Sequence, residues 1–171
     1  MGSGEGGRYS GTSGAKAGRG PFARVMHSRV SSWANKKASF LDGVSKRQRD
    51  KFTTATVVYD ESTGKYYYGM NRGIQIDNDK KNPILFGDGN RKGILPEKSL
   101  NQYSVGNCAE VHAVNKALNA GANLKDLHIT TIHTTKSSMG DPKRACENCT
   151  YTFKGKVKHN NTGWYKKETG K

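Results

Sequence analysis

The chain has 171 residues, 33% of them hydrophobic and 25% charged, which allows one well-buried core and leaves too little apolar material for two. It carries 29 Lys and Arg against 14 Asp and Glu, a net charge of +15. No apolar run reaches the roughly 18 residues of a membrane-spanning helix, and residues 1–30 lack the apolar centre of a secretory signal, so neither a membrane anchor nor a Sec-type address is expected.

Residues 1–20 hold eight glycines and almost nothing large and apolar; such a stretch cannot repay its ordering entropy and is expected to be a flexible Gly/Ser-rich linker, with the domain at 21–171. Met26, Val30, Trp33, Phe40, Leu41 and Val44 recur at helical spacing and predict one amphipathic helix, ending at Gly43 and the polar residues 46–48. Two β-prone runs, 52–59 and 65–74, are joined by the turn-like Asp60-Glu61-Ser62-Thr63-Gly64 and predict a hairpin. Residues 75–100 have no sustained period and read as a long loop. Asn107 is placed to cap a helix running to about Ala120, Leu127 to Thr135 reads as a strand with His128 and His133 on its surface, and Cys146 to Phe153 as a short helix. The order αββαβα predicts an α/β fold: a mixed sheet flanked by helices in a three-layer sandwich.

Charge and cysteines point to chemistry. Residues 1–50 and 151–171 carry +7 and +5, against +2 and +1 for the two intervening stretches, which suits a near-neutral catalytic centre with margins that grip a polyanion; a merely basic soluble protein is the plain alternative. Three cysteines are an odd number and fit metal ligands better than a disulfide framework. Cys108 opens one predicted helix and Cys146-Glu147-Asn148-Cys149 opens another, positions that favour thiolates. Three thiolates with a fourth position left for water describe a catalytic zinc site rather than a closed structural one. Glu110, two residues past Cys108, is placed as the proton shuttle. His112 reads as a packing or substrate-edge residue, since the third cysteine completes the ligand set. Tyr66, Tyr67 and Tyr68 alternate across a strand, so at least some belong to the core.

Cys108-Ala109-Glu110 with Cys146-Glu147-Asn148-Cys149 resembles the cytidine-deaminase superfamily, and Asn107-Cys108-Ala109-Glu110-Val111-His112-Ala113 with the stretch 141–149 is similar to the YwqJ-like deaminase domains of bacterial polymorphic toxins. The resemblance spans about residues 52–155. It implies a cytidine-deaminase-like sandwich, Zn2+ held by Cys108, Cys146 and Cys149, and hydrolytic deamination of cytosine in nucleic acid, single-stranded DNA foremost. Tyr68-Gly69-Met70-Asn71 matches the family's Gly-x-Asn, which implies Asn71 as a substrate contact. Ala145 stands where the family has proline, and only 22 residues follow Cys149, so a shortened C-terminal part is expected. The toxin likeness further implies a secreted effector acting in a target-cell cytoplasm and countered by an immunity protein. RNA, a free nucleoside or an adenine base as substrate, and a non-catalytic zinc-stabilised nucleic-acid-binding module, stay open as alternatives.

Overall fold

A computed structural model describes residues 17–71 and 79–166. The elements are α1 (Ala23–Val44), α2 (Lys46–Lys51), β1 (Thr54–Asp60), β2 (Lys65–Met70), α3 (Pro83–Phe86), α4 (Ala109–Asn119), a 3-10 turn (Leu124–Asp126), β3 (Leu127–His133), α5 (Glu147–Phe153) and β4 (His159–Asn160). The four strands form one mixed sheet in the order β2-β1-β3-β4. β1 runs antiparallel to β2 and to β3, and β4 is parallel to β3. The expected mixed α/β layering is therefore present. The end of the second predicted strand, residues 72–74, lies outside the described residues, as do residues 1–16 of the expected linker and 167–171 of the basic tail.

Strand alternation sorts the side chains into two cores. Ala55 and Val57 of β1 and Ile132 of β3 meet Met26, Val30, Ala34, Ala38 and Leu41 of α1. Val58 of β1 with Leu127 and Ile129 of β3 meet Val111, Val114, Ala117 and Leu118 of α4, together with Cys149 and Phe153 of α5. Tyr67 joins the α4 side while Tyr66 and Tyr68 join the α1 side, where Tyr68 stacks on Trp33 with ring centroids 5.4 Å apart.

Four local readings are corrected. The polar stretch after Gly43 does not end the helical region: Ser45 accepts the Gln48 amide at 3.1 Å and caps α2. The guanidinium of Arg49, buried in that helix, donates to the carbonyls of Phe52 and Thr134. The long loop contains α3, started by Asn82, whose side chain accepts from the Ile84 amide, and by Pro83 at the first turn. His128 is not on the strand surface; the start of α1 brings the Phe22 ring edge-on to it at 4.8 Å, and its Nε2 lies 2.7 Å from Glu61 Oε1. Residues 17–20, placed in the linker by composition, pack on the domain: the Arg19 amide donates to the Asn161 carbonyl at 2.7 Å.

Helix α4 lies unusually close to the sheet. A Cβ added at Gly69 would stand 2.6 Å from both the Ala109 carbonyl oxygen and the Ala113 nitrogen, so the helix backbone rests directly on β2. Because backbone atoms cannot swing aside, Gly69→Ala is expected to destabilise the protein by about 1–3 kcal/mol through overpacking; a shift of the urea midpoint at constant slope measures it.

Candidate metal and catalytic centre

The N-termini of α4 and α5 converge. Cys108 is the N-cap of α4 and Cys146 the N-cap of α5, both in extended backbone conformation, with no side-chain cap bond at either. Cys149 sits one turn into α5, fully buried against the α4 core. The expected capping residue Asn107 is thus displaced by one: Cys108 takes the cap, which turns its sulfur toward the other helix.

All three sulfurs lie within 4.8 Å of one another, and Cys108 Sγ is 3.6 Å from Cys146 Sγ. Thiolates about 2.3 Å from a tetrahedral zinc stand about 3.8 Å apart, so the spacing and the all-sulfur donor set fit that ion. None of the three is in a disulfide. Donation from Cys108 and Cys149, helped by the Asn148 and Cys149 amides at the start of α5, holds the Cys146 thiol far below its ordinary range. Cys108 is pushed the other way, chiefly because it is the partner that donates to Cys146. Cys149 is also raised, by its bonds to the other two sulfurs and by burial. The arrangement favours the thiolate at Cys146 and disfavours it at Cys108 and Cys149.

Glu110 is on the first turn of α4, 4% exposed, with Oε1 3.8 Å from Cys149 Sγ. Burial, then the negative charge of Cys146, raises its carboxyl above the usual range. Its own backbone amide, then the charge of Lys143 and a hydrogen bond from the Thr131 hydroxyl, oppose this, and that hydroxyl is itself 2.8 Å from Thr56 Oγ1. Thr56 and Thr131 face each other across β1 and β3, so the sheet supplies a fixed polar floor beneath the carboxylate.

A cavity of about 290 Å³ reaches this cluster and is lined by Cys108, Cys146 and Glu110 and by Thr53, Asn71, Tyr103, Lys143 and Arg144 among others. Asn71 lies on its wall, but its amide is engaged: Oδ1 accepts from the Thr53 and Thr54 amides, and Nδ2 donates to Thr53 Oγ1 and the Lys51 carbonyl. Its evident task is to hold the start of β1. His112 is apart from the metal cluster, buried under β2 with Nδ1 3.3 Å from the Met70 backbone.

Reasoning from sequence missed Lys143, Arg144 and Tyr103. Lys143 Nζ donates to Thr54 Oγ1 at 2.7 Å, and its amide donates to the Thr131 carbonyl. The signal was present as two adjacent cations just before Ala145-Cys146. Trp164, within the basic C-terminal stretch 151–171, packs on the α4 core.

No protein-family profile, curated protein or solved structure matches this chain. The observation that stands is a cluster of three cysteines able to hold a metal ion, beside a buried carboxyl and an accessible cavity.

Two measurements check the cluster. Cys149→Ser is expected to cut bound zinc from about one ion per chain to a small fraction of that, read by elemental analysis. Since the Cys108 and Cys149 thiols are shifted toward the protonated form, zinc uptake should release protons and its affinity should rise with pH across the neutral range. Titration calorimetry in buffers of different ionisation enthalpy reads both, and a pH-independent affinity would contradict the assigned ligands.

Proposed function

We propose that this chain is a zinc-dependent hydrolytic deaminase acting on cytosine in nucleic acid, with single-stranded DNA as the foremost substrate. The observation that carries the reading is Glu110: a buried carboxyl of raised pKa beside three clustered thiols, at the end of a cavity open to solvent. A structural zinc site has no use for a carboxyl whose ionisation burial opposes, whereas a hydrolytic one needs it to carry a proton.

Held by Cys108, Cys146 and Cys149, zinc would supply Lewis-acid activation of water at neutral pH. The chain's own residues do the rest. Glu110 takes a proton as water adds to the ring carbon bearing the amino group, and returns it as ammonia departs, so that cytosine and water become uracil and ammonia. Burial raises the proton affinity of the carboxyl, which favours its taking a proton, and the Thr131 hydroxyl hydrogen-bonds to it. Tyr103, 60% exposed at the cavity wall, offers a face on which a base stacks. Lys143 and Arg144 line the same cavity and favour a substrate that carries phosphate over a free nucleoside.

The likeness of the cysteine motifs to those of polymorphic-toxin deaminases extends the reading to biology. The domain would be a secreted effector that damages the nucleic acid of a target cell, with an immunity protein as its natural antagonist.

Zinc-loaded protein incubated with single-stranded DNA, duplex DNA, RNA and free cytidine should release ammonia and leave uracil, fastest on single-stranded DNA. Glu110→Gln should keep its fold and about one zinc per chain while losing about 10²–10⁴-fold in rate. Undiminished turnover in that variant would remove the proton-carrying role of Glu110, and absence of ammonia from all four substrates would overturn the assignment.

A further inference from the structure

A second cavity, about 540 Å³, lies between α3, the loop that follows it and α5. Its apolar floor includes Phe86, Leu95 and Val105. Lys81 and Lys156 stand exposed on its rim and make no ion pair among the described residues, while Lys92 is taken up by Glu97. Tyr151 of α5, 59% exposed, completes the wall. The two cavities share a ridge: Tyr103 and Asn107 line the first, Val105 lines the second, and Gly106 between them lies against the Phe86 ring, where an added Cβ would come within 3.3 Å.

We infer that this groove receives the nucleotides flanking the target base, so that a single strand lies across the 103–107 ridge with its target in the first cavity and its continuation in the second. The inference rests on the nucleic-acid reading of the first cavity. Single-strand binders combine cations that follow the backbone with aromatic faces that accept any base, and here Lys81 and Lys156 supply the first while Tyr151 supplies the second. An acidic protein segment would satisfy the lysines but would leave the exposed ring and the continuity with the deaminating cavity without a purpose.

The test measures binding apart from turnover. Zinc-loaded Glu110→Gln protein is compared with the same protein carrying Lys81→Gln, Lys156→Gln and Tyr151→Ala, all at exposed positions, using fluorescein-labelled single-stranded DNA of about 15 and about 3 nucleotides. The longer strand should bind roughly tenfold more weakly to the groove variant, and its log affinity against log salt should flatten by about 1.4, near 0.7 for each lysine removed. Affinity for the trimer should not change. Equal affinity and slope for the longer strand would overturn the groove, as a site built for an acidic protein would give. Turnover by the wild-type protein is scored separately: ammonia release with an unmoved salt slope sinks the groove alone, and a flattened slope with no ammonia sinks the deaminase reading alone.

Discussion

The contact on which the site depends is the one between the backbones of α4 and β2 at Gly69. A helix normally stands off a sheet by the thickness of its side chains; here the absent Cβ lets the first turn of α4 settle onto the strand. That turn carries Cys108, Glu110 and His112. Its depth sets how far Glu110 is withdrawn from water, and hence how strongly its carboxyl resists ionisation. The Gly-x-Asn segment acquires a physical meaning in this chain: Gly69 admits the helix, and Asn71 two residues on ties β2 to the first residues of β1.

Electrostatics concentrates the consequence. Three sulfurs and a carboxyl crowd together in a strongly basic protein, and Lys143 and Arg144 line the same cavity. Lys143 is tied to the sheet through Thr54 and through its own amide, so its charge is fixed in place rather than carried on a free arm. A cavity with a buried carboxyl at its end and cations at its side is the electrostatic basis of the proposed preference for an anionic substrate.

Much of the site was legible in the sequence because its spacing is local. Cys108 and Glu110 share one helical turn, as do Cys146 and Cys149, and a two- or three-residue separation survives errors in where an element begins. The α1 stripe of Met26, Val30 and Leu41 was equally plain, since a period of 3.6 depends on no distant partner. What escaped was set by long-range contact. Nothing apolar marks α2, whose burial comes from Arg49 finding the carbonyls of Phe52 and Thr134. His128 looked like a surface residue until Phe22, more than one hundred positions earlier, covered it. The roles of Lys143 and Tyr103 needed the fold to bring the flanking loops around one cavity.

The outer side of β3 shows how a short final strand is made to suffice. β4 pairs with His128 and Ile129 only; further along, the Lys143 amide reaches the Thr131 carbonyl, the Gly140 amide reaches that of His133, and Ile132 bridges to Pro142. Two unrelated segments thus occupy one sheet margin in relay, with a proline in one of them. A neighbouring molecule meets no continuous row of open amides and carbonyls there on which to add a strand, so this margin is guarded against the edge-to-edge association that leads sheet proteins to aggregate.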